Sequence, residues 1–196
     1  MAGQQSLKCP DGSVNVIQTR PDEFEAPAGT SFLFGADFGY ANDPTCLVRM
    51  YIQDKKLWID YEAYGVGVEI AELHAFFAAV PESTTWKIIA DSARPETISH
   101  LTNQSGNYKG FNIVGAEKGK GSVEDGISFL RSFEEIIIHP RCKGAISDFN
   151  NYRWKIDKIT EEILPIPLDK SNNAPDACRY ALECYRNERP SILDVL

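Results

Sequence analysis

"FLFGADFGYANDP" (32–44) sets the terms for the whole chain. An apolar run carries one carboxylate, Asp37, and breaks at once into small, turn-forming residues. "IIADSARPE" (88–96) repeats the pattern: a strand-like run ends on Asp91 and gives way to a helix start. A third aspartate, Asp176, opens the helical segment "NNAPDACRYALECYR" (172–186), with Pro175 in its first turn. All three stand where regular structure stops. In open α/β sheets that is where sites gather, because the loops beyond the strand ends leave a crevice.

Outward from these stretches, period and punctuation predict the remaining elements. "SFLFGADFG" (31–39), "TCLVRMYIQ" (45–53) and "KKLWIDYEAYG" (55–65) read as three consecutive strands with short, antiparallel connections. In the third, Trp58, Asp60, Glu62 and Tyr64 share one face at period two. Residues 66–80 switch to helical spacing through Ile70, Leu73, Phe76, Phe77 and Val80. Strands are expected at 85–91, 110–116 and 134–140. Helices are expected through 103, over 122–133, where Ser122 and Asp125 resemble a capping box, and over 143–155. Residues 156–169 form a hairpin-like excursion. The order predicts an α/β fold, a mixed sheet with helices on both faces. Residues 1–29, polar and carrying Pro10, Pro21 and Pro27, read as a lead-in or linker.

The 196 residues suffice for one sizeable core, and 43% hydrophobic content with 11% aromatics is a globular composition. No apolar run reaches the roughly 20 residues of a membrane helix. The N-terminus lacks the charged and apolar regions of a signal peptide, so the expectation is an intracellular protein. Cys9, Cys46, Cys142, Cys178 and Cys184 form no CxxC pair, and His74, His100 and His139 form no ligand spacing; reduced thiols and structural imidazoles are expected. A net charge of −8 argues against coating nucleic acid by bulk attraction, leaves room for a local basic patch, and suits a carboxylate cluster that needs cations.

Three crowded aspartates repel and desolvate one another, and a hard divalent cation relieves this. The bland readings are a turn at Asp37, a helix cap at Asp91 and a favourable helix dipole at Asp176.

"GADFGYANDPT", "IIADSARPE" and "NNAPDACRYALE", in this order and spacing, resemble the nuclease domain of the large terminase subunit of tailed bacteriophages. The likeness covers about residues 30–186. It implies a ribonuclease H-like fold with Asp37, Asp91 and Asp176 as catalytic metal ligands for Mg²⁺ or Mn²⁺, two ions in all. The implied activity is endonucleolytic cutting of concatemeric double-stranded DNA in the host cell cytoplasm. Implied partners are the terminase ATPase domain, the portal protein through a flexible tail at 187–196, and the small terminase subunit. The family's histidine three residues before the third aspartate is replaced by Asn173. Asp60 and Glu62 are candidates for an outer carboxylate, although a structural role is expected. Other ribonuclease H-like nucleases, of resolvase or transposase type, and a catalytically idle docking module are the competing readings.

"GAEKGKGS" (115–122) imitates a phosphate-binding loop, but Gly115 and Gly119 enclose three residues where that motif needs four. No nucleotide is expected in this chain. Lys118 and Lys120, between glycines at a helix start, are expected to meet DNA phosphate; Arg94 and Arg179, beside the aspartates, are expected either to meet phosphate or to balance the carboxylates.

Overall fold

Asp54 and Lys55 both adopt positive φ (51° and 58°), a two-residue turn that matches the twist of a hairpin. It joins β3 (Pro44–Gln53) to β4 (Lys56–Val66), and β3 pairs antiparallel with β2 (Leu33–Asp37). The computed structural model describes residues 14–39, 41–183 and 185. The remaining strands of the main sheet are β1 (Arg20–Pro21), β5 (Ile88–Ala90), β6 (Ile113–Gly115) and β7 (Ile136–Ile138). The order is β1-β7-β4-β3-β2-β5-β6, antiparallel along β4-β3-β2 and parallel elsewhere. The sheet is mixed, as the sequence predicts.

Helices cover both faces. A short 3₁₀ turn (Ile70–Glu72) leads into α1 (Leu73–Ala78), which with α2 (Pro95–Thr102) packs Leu73, Phe77 and Leu101 on one face against Phe34, Ala36, Leu47 and Ile88. On the other face lie α3 (Ser122–Arg131), α4 (Lys143–Asn151) and α5 (Asn173–Ala181), meeting Cys46, Val48, Met50, Leu57 and Ile59. The excursion at 156–169 is a separate hairpin of β8 (Trp154–Ile156) and β9 (Ile163–Pro167). Cys46, Cys142 and Cys178 are buried and free.

Three local expectations change. Helix α3 has Gly121 at its N-cap, at φ 82°, and no side-chain cap bond, so Ser122 begins the helix and the capping box does not form. Within the expected lead-in 1–29, Val16 and Ile17 are buried in the core and Arg20–Pro21 pairs with β7. The alternation of β4 is broken. Arg49 pairs with Tyr61 and Met50 with Ile59, leaving Asp60 as the extra residue of a bulge. Trp58 and Asp60 therefore face α1 and α2, whereas Glu62 and Tyr64 face α4 and α5. Asp60 is consumed there by Arg49, with Nη2 to Oδ2 at 2.6 Å and Nε to Oδ1 at 3.0 Å, both side chains buried. The Arg49 guanidinium lies between the rings of Phe32 and Tyr61. The tail at 187–196 lies outside the described residues.

Candidate active site

Strands β2 and β5 run parallel and in register, Ala36 opposite Ala90, and the Asp91 N–H donates to the Ala36 carbonyl at 2.9 Å. Asp37 and Asp91 follow directly, so both leave adjacent strand ends side by side. The alternation of each strand turns them to the α5 face: Phe34, Ala36, Ile88 and Ala90 point into the opposite core. Helix α5 crosses β2 closely because Gly35 has no side chain; a Cβ there would stand 1.8 Å from the Ala177 carbonyl oxygen. That approach carries Asp176 toward Asp37.

Burial, then the charges of Asp176 and Asp91, push the Asp37 carboxyl up to about 8. Burial also raises Asp176, against the opposing pull of Arg179. Arg179 holds Asp176 through Nη2 at 2.8 Å and Nε at 3.1 Å to Oδ1. Asn172 Nδ2 donates to Asp176 Oδ2 at 3.2 Å. Lys118 makes an ion pair with Asp91 Oδ1, and the same oxygen accepts the Ala93 N–H at 3.1 Å. Asp91 thus makes a local turn bond, but it is not the helix cap of the bland reading: α2 has Arg94 at its N-cap.

Among the described residues no three His, Cys, Asp or Glu side chains are arranged to hold a metal ion as they stand. Two of the three aspartates are instead neutralised by cations of the chain itself. Lys118, expected at DNA phosphate, and Arg179, expected either there or balancing the carboxylates, are both found at the carboxylates. Lys120 is exposed on the same loop. Arg94 lines a cavity of about 470 Å³ with Phe38, Gly39 and Leu73, on the α1 and α2 face of the sheet.

A second layer of polar residues surrounds the site; sequence reasoning singled out Asn173 and Glu62 but not Asp148. With its amide nitrogen toward its acceptors, Asn173 donates to Asp37 Oδ2 at 3.3 Å and to the Pro44 carbonyl at 3.2 Å. Glu62 accepts the Gly144 and Ala145 N–H groups at 2.7 and 2.8 Å. Asp148 accepts the Ala174 N–H at 3.0 Å and the Tyr64 hydroxyl at 2.9 Å. Two signals were legible. The segment before α4, "HPRC", offers no capping side chain. Asp148 also falls within the inward stripe Ala145, Phe149 and Tyr152.

A mixed sheet with carboxylates at neighbouring strand ends and a helix laid across them has the ribonuclease H-like architecture. Its overlay on the nuclease domain of the bacteriophage P22 large terminase, at a TM-score of 0.57, is a likeness of fold alone at 17% identity. Residues 37–184 match the family model described as terminase RNase H-like domain, and the chain belongs to that family. It is 34% identical over 154 residues to the terminase large subunit of Bacillus phage SPP1, spanning 76% of this chain and 35% of that protein. It is 29% identical over 164 residues to the PBSX phage terminase large subunit of Bacillus subtilis (strain 168), across 79% of this chain and 34% of that one. The chain thus spans about a third of the length of these relatives. The SPP1 g2p (large terminase) nuclease domain, solved with bound Mn, aligns at a TM-score of 0.75 with 28% identity, covering 87% of this chain and 98% of that one.

Proposed function

We propose that the chain is a metal-dependent endodeoxyribonuclease that cuts concatemeric double-stranded DNA during viral packaging. The observation that carries this is the in-register pair Asp37 and Asp91 with Asp176 brought toward them by α5. The donor set suits Mg²⁺ or Mn²⁺: all three groups are hard carboxylate oxygens, and burial together with the neighbouring carboxylates raises the Asp37 carboxyl to about 8. The Mn-bound SPP1 domain supports the same choice of ion. Two such ions, when bound, supply an activated water and neutralise charge at the leaving oxygen of the phosphodiester.

The chain's own residues do the rest. Asp37, Asp91 and Asp176 bind and orient the cations, and Asn173 fixes the Asp37 carboxylate by its amide. With a cation held by Asp91, Lys118 would be available to a DNA phosphate beside Lys120. Arg179 balances Asp176, and Arg94 is assigned to DNA phosphate from its place three residues after Asp91.

The test is plasmid cleavage with Mn²⁺ or Mg²⁺. Asp37→Ala, Asp91→Ala and Asp176→Ala should each abolish cutting while circular dichroism stays native. Substantial activity in two of the three folded variants rejects the assignment, and preference for a four-way junction over linear duplex points to a resolvase. By the same reading the enzyme works in the host cytoplasm beside an ATPase domain and the small terminase subunit. Residues 187–196 reach the portal; their deletion should spare cutting and impair packaging.

A further inference from the structure

Helix α5 is not capped by its own N-cap residue: Asn172 makes no side-chain cap bond. That amide is diverted to Asp176 Oδ2, and to Asp169 Oδ1 at 3.4 Å. The first-turn N–H of Ala174 is fully buried and needs an acceptor. It finds Asp148 Oδ2, 26 residues earlier on α4. Asp148 is 4% exposed, and its second oxygen takes the Tyr64 hydroxyl. Helix α4 is held the same way: Cys142 gives it no side-chain cap, and Glu62 accepts both Gly144 and Ala145 N–H groups. Gly144 keeps the contact close, because a Cβ there would stand 2.2 Å from the Tyr64 ring. The series runs from β4 through α4 to the start of α5, and the residue before Ala174 is Asn173, which bonds Asp37.

We infer that Asp148, held by Tyr64, is a positioning residue that sets the N-terminus of α5, and with it Asn173 and Asp176, against Asp37. The inference rests on reading the three aspartates as the metal site. A purely stabilising role would leave the metal affinity of the folded protein unchanged; a positioning role lowers it, since partners that orient ligands typically change metal affinity about 10–100-fold.

The experiment is Mn²⁺ titration of the full chain by calorimetry, with thermal melts and cleavage kinetics alongside. Asp148→Ala should weaken Mn²⁺ binding at least about 10-fold and lower kcat. Asp148→Asn keeps an oxygen for the Ala174 N–H and should bind within about 3-fold of the parent, an orientation effect well below the range for losing the partner. Tyr64→Phe keeps the ring against Gly144, removes only the hydroxyl, and should weaken binding by a smaller, measurable factor. If Asp148→Ala does not fold, Tyr64→Phe decides: unchanged Mn²⁺ affinity overturns the inference. Parent-like affinity in folded Asp148→Ala also overturns it, with the metal site intact. A parent that binds no Mn²⁺ removes the metal reading itself, and the positioning role with it.

Discussion

Gly35 on β2 lies directly beneath Ala177 on α5, so close that a single added methyl would overlap the helix backbone. The obstacle is a carbonyl, not the end of a flexible side chain, so the helix itself must move. Gly35→Ala should destabilise by about 1–3 kcal/mol or more. For a domain of this size that lowers Tm by about 2–4 °C per kcal/mol. Because α5 carries Asp176, Mn²⁺ should restore little of the loss. A variant that melts and binds Mn²⁺ like the parent would show that α5 is placed by other contacts.

Asp37 separates the cost of the site from its use. A ligand bound only by the folded state stabilises it by about 2.7 kcal/mol at a hundred times its dissociation constant. Millimolar Mn²⁺ should therefore raise the parent's Tm. Asp37→Asn removes a buried, repelled carboxyl, so without metal it should melt no lower than the parent. With Mn²⁺, most of the parent's shift should be missing. A full metal response in Asp37→Asn would take Asp37 out of the ligand set.

Asp148 predicts a pH dependence with a definite sign. Burial holds its carboxyl above the ordinary value, Asp176 on α5 adds to this, and the Ala174 N–H and Tyr64 hydroxyl oppose it. The folded protein then binds this proton more tightly than the unfolded chain. Its contribution is whole below the unfolded pKa of about 3.9 and is lost as pH rises through the folded value. Asp148→Asn should thus gain on the parent between pH 4 and pH 7 in metal-free melts. A Tm difference constant over that range would refute the sign.

Lys118 and Lys120 share one loop, but only Lys118 is engaged with a site carboxylate. In Mg²⁺, replacing both with Ala should weaken DNA binding for all sequences alike. It should also reduce the slope of log K against log salt by about 0.9 for each phosphate no longer neutralised. Binding isotherms at four salt concentrations suffice, and an unchanged slope moves the DNA path elsewhere.

Arg49 tests the bulge. Arg49→Leu strands the buried Asp60 charge and should cost about 3–5 kcal/mol by denaturant titration. Adding Asp60→Asn should recover part of it. Equal stability of the single and double variants would mean that water already satisfies Asp60 once Arg49 is gone.

Asp37, Asp91 and Asp176 were legible as a set because each breaks a local pattern: a carboxylate at the end of an apolar run or in a first helical turn. The mixed sheet was legible for the same kind of reason, since a period of two giving way to one of 3.6 is written in neighbouring residues. What the three aspartates touch was not. Lys118 reaches Asp91 only because β6 lies beside β5, whereas Arg179 on Asp176, three residues apart in one helix, was one of the two roles its position suggested. The face presented by β4 was hidden for a sharper reason. The period-two reading put Asp60, Glu62 and Tyr64 together, but one bulged residue reverses the phase of the strand. That reversal gives Asp60 to Arg49 and sends Glu62 and Tyr64 to α4. A bulge is a property of the pairing between two strands, so neither strand's sequence declares it. The caps on α4 and α5 come from residues up to 83 positions away, so only the folded sheet decides which buried carboxylate meets which orphaned N–H.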